Sequence, residues 1–175
     1  MSETRVAYYE SPIGLLEVRG GERGVSAVTF VDALAPRVAR GARATRGART
    51  ARGGKGPLPA ALADCLAQLD EYFRGERRAF SVKLDLGGTA FQNKVWRALR
   101  AVRFGKTASY KDIAKAVGNP AGTRAVGGAN HSNPVSIIVP CHRVVGSDGR
   151  LTGYGGGLWR KEWLLRHEGN DLSTS

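Results

Sequence analysis

The sequence predicts an α+β protein. A small mixed β-sheet and helix unit spans residues 1–87, and a mainly helical unit spans 88–170 and carries a helix-turn-helix and a cysteine motif; a short tail follows at 171–175. Three observations predict this. Short apolar runs separated by turn residues fill the first 31 positions, as strands do. Apolar residues at helical spacing, introduced by capping residues, dominate after position 88. Gly87-Gly88 separates the two regimes and reads as a domain boundary.

The opening strands are Val6-Ala7-Tyr8-Tyr9, Leu15-Leu16-Glu17-Val18 and Val25–Val31, punctuated by Ser11-Pro12-Ile13-Gly14 and Gly20-Gly21-Glu22. A three-stranded meander is the simple arrangement. Residues 36–57 differ in kind: Arg37, Arg40, Arg43, Arg46, Arg49, Arg52 and Lys55 recur every third position among small residues. A period of three does not hold one face of an α-helix, though it would line one face of a polyproline-type chain. With no large apolar residue after Val38, the segment reads as a flexible insert. From Pro57 to Arg74, Leu62, Leu66, Leu69 and Phe73 share a helical face, with Cys65 beside it as core filler. Phe80, Val82, Leu84 and Leu86 alternate as a strand.

In the second unit, Thr89-Ala90-Phe91-Gln92 is a capping box before a helix whose Phe91, Val95, Leu99 and Val102 align. Ser109-Tyr110-Lys111-Asp112 opens a short helix through Val117, Gly118-Asn119-Pro120-Ala121 breaks it, and a third helix runs from about Gly122 to Asn130. Helix, four-residue turn, helix is a helix-turn-helix pattern, which many inert hairpins share.

Charge adds a direction. The chain carries a net +12. It is concentrated in residues 36–57, with seven basic and no acidic side chains, and in residues 88–175, with a net +8. A basic unit beside a near-neutral one suits a phosphate backbone, because each neutralised phosphate releases counterions; solubility charge explains the composition equally well. No run reaches the roughly 18 apolar residues of a membrane span, and the start lacks the pattern of a signal peptide. The expectation is a cytoplasmic protein, with Cys65 and Cys141 as free thiols. No cluster has metal-ligand spacing, so no structural zinc is expected.

Two segments invite chemistry. The helix Gly122-Thr123-Arg124-Ala125-Val126-Gly127-Gly128-Ala129-Asn130 is nearly free of bulk. Two glycines inside a helix cost roughly 1 kcal/mol each relative to alanine, so a close approach to another helix or to a groove is implied. Arg124 is its one long charged side chain, fit either for a surface ion pair or for entry into a base stack. The other segment is Ile137-Ile138-Val139-Pro140-Cys141-His142-Arg143-Val144-Val145. A free thiol has a pKa of about 8.5 and needs a base to become a nucleophile. His142 is adjacent, but neighbours on a regular strand point to opposite faces. Pairing therefore calls for a bend near Pro140 or a bridging water, and a buried, inert cysteine is the competing reading.

Residues 91–169 resemble the C-terminal domain of the O6-alkylguanine-DNA alkyltransferases. The matching stretches are Arg124–Ala129, Asn133-Pro134, Pro140–Val145, Gly153-Tyr154-Gly155-Gly156, Lys161-Glu162-Trp163-Leu164-Leu165 and His167-Glu168-Gly169, in the family's order and spacing. The N-terminal part matches only loosely, through Ser11-Pro12-Ile13-Gly14 and its layout. The resemblance implies direct repair of double-stranded DNA carrying O6-alkylguanine, with Cys141 as the alkyl acceptor. It implies that His142, through a water, removes the thiol proton, that Glu168 orients the imidazole, and that Asn133 is the hinge between recognition helix and active-site strand. Tyr110 would donate to the guanine ring and Arg124 would fill the gap left by the flipped nucleotide. Thr123, Ala125, Gly127, Gly128 and Ala129 would line the minor groove, and Tyr154, Gly155, Gly156, Pro140 and Val144 the base pocket. Two departures stand out: Gly155 occupies a position that is often Ser in the family, and Asn130-His131 differ from other members. Alkyltransferase-like proteins lack the acceptor cysteine, which this sequence has.

Transfer of a saturated carbon to sulfur gives a thioether, which offers water no carbonyl to attack. The expected reaction is therefore stoichiometric and needs no cofactor. Lowering the thiol pKa by two units would correspond to about 2.7 kcal/mol of thiolate stabilisation, for which His142 with Glu168 is the candidate source. A helix-turn-helix regulator with an incidental cysteine, and a thiol hydrolase, are the competing functions. A monomer is expected. The sequence leaves open cooperativity on DNA, alkyl-size preference, activity on O4-alkylthymine, the effect of Gly155 and the role of the insert.

Overall fold

The computed structural model describes residues 3–31, 48–49 and 56–172. The chain forms two compact units, Met1–Leu86 and Gly87–Ser175. The architecture is α+β, a sheet-and-helix unit followed by a helical one, as the sequence predicts.

In the first unit β1 (Arg5–Ser11), β2 (Gly14–Gly21) and β3 (Gly24–Val31) form the antiparallel meander. Ser11 shapes the first turn: its hydroxyl donates to the Gly14 carbonyl at 2.6 Å and accepts from the Ile13 amide at 3.2 Å. Ala7, Tyr9, Leu16, Val18 and Val28 are buried, as are Leu62, Cys65, Leu66 and Leu69 of α1 (Ala60–Phe73). A β-carbon on Gly20 would run into the Gly24 carbonyl oxygen and lie 2.9 Å from Val25 Cα, with Leu62 Cδ1 of the helix at 2.7 Å, so the strand needs glycine there.

Two expectations for this unit are corrected. Within the supposed flexible insert 36–57, Ala48–Arg49 forms β4, which pairs antiparallel with Tyr8 and Tyr9 of β1. Ladder bonds are made by backbone, so an exposed sheet edge can recruit residues whose composition carries no strand signal. Residues 36–47 and 50–55 of the insert lie outside the described residues. The expected strand over 80–86 is also absent. Its Ser81 amide donates to the Gln68 side chain at 2.9 Å. Only Lys83 and Asp85 reach β3, through Val25, at 2.8 Å each. A parallel bridge at Leu84 is all the pairing that results.

In the second unit, α2 (Ala90–Arg100) and α3 (Tyr110–Ala116) each begin with a complete capping box, at Thr89/Gln92 and Ser109/Asp112. Gly118, at φ 76°, ends α3 in the left-handed conformation that only glycine adopts freely. The turn leads to α4 (Thr123–His131), completing the helix-turn-helix. The Trp96 indole of α2 donates to the Ala129 carbonyl at 2.8 Å and fixes α4 against α2. Two-residue strands β5 (Ala108–Ser109) and β6 (Val144–Val145) pair in parallel and bring the start of α3 beside the cysteine segment. Finally, α5 (Leu158–His167) buries Lys161, Leu164 and Leu165. Asp171 and Leu172 of the expected tail carry no regular structure, and residues 173–175 lie outside the described residues.

Candidate active site

The cysteine segment is not a strand. Residues Cys141–Arg143 make one turn of 3-10 helix behind Pro140, which corrects the strand geometry expected for this stretch. The cause lies upstream. Val139 accepts the Cys141 amide at 2.8 Å and Ser136 accepts the Ile138 amide at 2.8 Å, tight bonds that leave no ladder to extend. Among the described residues Ile137 is the only non-glycine with positive φ, at 71°. A β-branched residue there costs on the order of 1–3 kcal/mol. Asn133 holds the turn closed: its amide donates to the Val139 carbonyl at 2.8 Å, and its oxygen accepts from the Val135 amide at 3.0 Å.

Cys141 is 6% exposed. Burial pushes its thiol up; the Asn133 amide, the Lys161 ammonium and the backbone amides of Cys141 and His142 pull it back, without reversing the direction. Burial outweighs these groups, so the resting sulfur is held toward its thiol form.

His142 is fully buried, and its Nε2 lies 2.8 Å from Glu168 Oε1. Burial lowers the imidazole below its usual range, against the pull of Glu168. An ionised carboxylate only accepts, so a neutral His142 carries its proton on Nε2 and presents Nδ1 as a bare acceptor. That Nδ1 atom is buried and makes no hydrogen bond to protein. Burial works against a charged Glu168, yet His142 and Arg143 together hold its carboxyl down to about 2. We assign the larger share to Arg143, whose charge is permanent. Its Nε reaches Oε2 at 2.8 Å and its Nη2 reaches Oε1 at 2.9 Å, a two-pronged bond, while Nη1 donates to the Val102 carbonyl at 2.6 Å.

Lys161 is fully buried and donates to the Thr152 carbonyl at 2.6 Å. Burial brings its ammonium down to about 8 despite the counter-pull of Cys141. The Thr152 and Tyr110 hydroxyls share a hydrogen bond at 3.1 Å, in which either group can donate. Tyr154 has a partly exposed ring and a buried oxygen, bonded to Ser136. Burial, and then the nearby Cys141, push its phenol well above its usual value.

Cys141, His142, Glu168, Asn133 and Tyr154 thus form one interacting cluster, flanked by buried Pro140 and Val144. Tyr110 joins through Thr152. Gly155 is exposed, and the Gly156 carbonyl accepts from Arg160 at 2.8 Å. On α4, Thr123, Arg124, Ala125 and Gly128 are exposed and Gly127 is half-buried. Ala129 faces the interior and can offer only spacing to a partner. A β-carbon on Gly127 or Gly128 would meet nothing within 4 Å, so packing inside the protein does not require either glycine. Arg143 and Lys161 were not singled out from sequence. Lys161 carried a usable signal: with Leu164, Leu165 and Glu168 it falls at i, i+3, i+4 and i+7, a helical face on which two leucines lie between a cation and a carboxylate.

A family model described as 6-O-methylguanine DNA methyltransferase, DNA binding domain, matches residues 90–170, and one described as the ribonuclease-like domain matches residues 4–86. A methylated-DNA–protein-cysteine methyltransferase of Methanosarcina acetivorans is 42% identical over 164 residues, 94% of this chain and 97% of that one. Its counterpart in Mycolicibacterium paratuberculosis is 44% identical over 159 residues, 91% and 88% of the two chains. The solved Mycobacterium tuberculosis O6-methylguanine methyltransferase superposes with a TM-score of 0.76 at 41% identity, covering 94% of this chain and 92% of that one. The OGT of that organism, solved in complex with DNA, gives 0.75 at 42%, covering 94% and 91%. Matched in sequence over both units and in structure over nearly its whole length, the chain belongs to the O6-methylguanine-DNA methyltransferase family, the methylated-DNA–protein-cysteine methyltransferases.

Proposed function

We propose that the protein repairs DNA by direct reversal: it binds duplex DNA through α4, takes an extruded O6-alkylguanine beside Cys141 and keeps the alkyl group in a single turnover. The observation that carries the reading is the 2.8 Å contact of His142 Nε2 with Glu168, which leaves Nδ1, on the residue that follows Cys141, as a buried acceptor without a protein partner. Through a water, Nδ1 accepts the Cys141 proton as the base arrives. Sulfur attacks the alkyl carbon; the C–S bond forms, the C–O6 bond breaks, and the electron pair moves into the guanine ring. Tyr110 donates a hydrogen bond to the ring as that charge develops. Asn133 and Lys161 favour the ionised sulfur meanwhile, and Arg143 keeps Glu168 charged. The thioether product has no carbonyl for water, so the cycle ends there.

On the DNA side, the exposed and bulk-free face of α4 suits a minor groove, where a backbone must come close. Arg124 is exposed and makes no ion pair or hydrogen bond among the described residues, which frees it to fill the gap left by the extruded nucleotide. The reading extends to a monomeric cytoplasmic protein without a cofactor.

Titration of protein against DNA carrying O6-methylguanine tests this directly. One methyl per protein should be removed in a burst, with the mass of one methyl group added at Cys141. Cys141→Ala should bind the same DNA and remove nothing. Repeated turnover would point to a hydrolase, and binding without any adduct to a regulator; either result would end the proposal.

A further inference from the structure

Beyond the helix-turn-helix, basic side chains of the second unit have carboxylate partners: Arg143 meets Glu168, Arg150 meets Asp148 and Arg166 meets Glu162. Residues 88–124 are different. They hold eight basic side chains against one acidic, Asp112, whose carboxylate already accepts the Ser109 amide at 2.8 Å. Arg124 has a part in the function proposed above; Lys94, Arg97 and Arg100 of α2 have none. All three are exposed, and none makes an ion pair among the described residues. The Arg97 Nε donates to the Asn93 carbonyl at 3.3 Å, which lays its guanidinium along the helix.

Lys94 and Arg97 stand at an open groove between α2 and α3. Ala98 and Ala101 line it from one side, Ala116 and Val117 from the other. These small side chains put no bulk between the two cations and an incoming surface. The groove faces away from α4. Helices α2, α3 and α4 each pack on the other two, and the Trp96 indole marks the side of α2 that meets α4, donating to the Ala129 carbonyl at 2.8 Å. At 3.6 residues per turn, Lys94, Ala98 and Ala101 lie roughly 140–160° around the helix from Trp96.

We propose that this α2–α3 face is a second DNA-binding surface, which takes the phosphate backbone of another duplex segment while α4 lies in the minor groove of the first. The inference rests on the duplex binding through α4 proposed above. Charge complementarity selects the occupant. A duplex carries one negative charge for about every 1.7 Å of its axis, and each phosphate neutralised by a free cation releases counterions. Cations turned away from the first duplex find that gain only on another. Contacts to phosphate carry no sequence information, which suits a search for damage in any sequence. A protein that holds two segments for a moment passes from one to the next without entering free solution.

The test releases the full chain from a fluorescent undamaged duplex by adding increasing amounts of unlabelled duplex in a stopped-flow instrument. Direct transfer makes the release rate rise with the concentration of added duplex, whereas simple dissociation is independent of it. The unaltered protein should show the rise. A Lys94→Gln, Arg97→Gln double variant should flatten it at least about fivefold, keep affinity for a single duplex within about threefold, and lower the log–log salt dependence of transfer by roughly 0.9 per lost contact. Lys94→Arg should leave it intact. A release rate independent of added duplex in the unaltered protein would overturn the proposal, as would an undiminished rise in the double variant. Parallel loss of transfer and of single-duplex affinity would put this face on the same duplex as α4, which also overturns it. A rise reproduced equally by poly-glutamate would mark a face for acidic polypeptides instead of DNA. If the unaltered protein bound no duplex at all, the repair function itself would fail, a result distinct from all of these.

Discussion

At the scale of single residues, the site is a study in where charge is allowed. Glu168 and Arg143 form a buried charged pair, whereas His142 and Cys141 rest neutral. Such a pair is costly to desolvate, and breaking one partner is costlier still, about 3–5 kcal/mol. Glu168 has its pKa depressed in the folded state, from an ordinary 4.5 to about 2. Its stabilising contribution is thus complete above about pH 4.5 and lost as the pH falls toward 2. Glu168→Gln should lower stability at pH 7 by about 3 kcal/mol and flatten the pH dependence of unfolding between those limits, as denaturant titrations would measure. It should also slow alkyl transfer by about a hundredfold or more, because a neutral amide no longer dictates the histidine tautomer. An unaltered acid limb would mean that protonation of Glu168 is not what destabilises the protein between those limits.

Individual residues were unevenly legible in the sequence. Cys141 and His142 could be found because a proline-flanked thiol beside an imidazole is chemically unusual. The position of Glu168, 26 residues downstream of His142, depends on how α5 returns to the cysteine turn. That return is a tertiary fact, and only the family resemblance supplied it. Arg143 and Lys161 have ordinary surface identities in the sequence and buried positions in the fold.

At the scale of elements, α4 joins two requirements that usually conflict. Its inner face, Val126, Ala129 and Asn130, is packed, while its outer face gives up bulk and helix propensity. Since Gly128 has open space around it, Gly128→Leu should raise thermal stability, by up to about 1 kcal/mol, while weakening duplex binding; calorimetry and a binding titration would show both. A loss of both would indicate a packing role not visible around the glycine. Arg124→Ala should slow repair in duplex DNA by at least about tenfold and leave reaction with a free O6-alkylguanine base unchanged. Equal loss on both substrates would exclude a gap-filling role. Helices α1 to α4, the two capping boxes and the meander followed from periodicity and capping, whereas α5, which has no side-chain cap, did not. The segment at 80–86 did not, because its alternation is that of a strand while its amide partner is the Gln68 side chain. Nor did the 3-10 turn, which depends on Asn133 binding Val135 and Val139 at once.

For the whole molecule, charge is distributed unequally along the chain. The helical unit carries the site and a net +8 over residues 88–175, and residues 36–57 add seven more basic side chains. Binding should weaken linearly on a log–log plot against salt, with a slope of roughly 0.9 per phosphate neutralised. Deleting residues 36–57 should leave transfer to a free O6-alkylguanine base intact and make that slope slightly shallower. Because the deletion also takes β4 from the edge of β1, a thermal melt of the shortened protein belongs beside the binding curve. A changed free-base rate would mean that the segment acts on the chemistry.

The short parallel ladder has a further consequence. Ala108–Ser109 and Val144–Val145 fix Tyr110, one residue after the first strand, to the turn that carries Cys141, three residues before the second. Tyr110 and Cys141 are thereby tied to one backbone ladder, so small movements of the surrounding helices carry both along. In the repair reaction proposed above, a purine lying between them would meet a spacing set in advance by backbone amides.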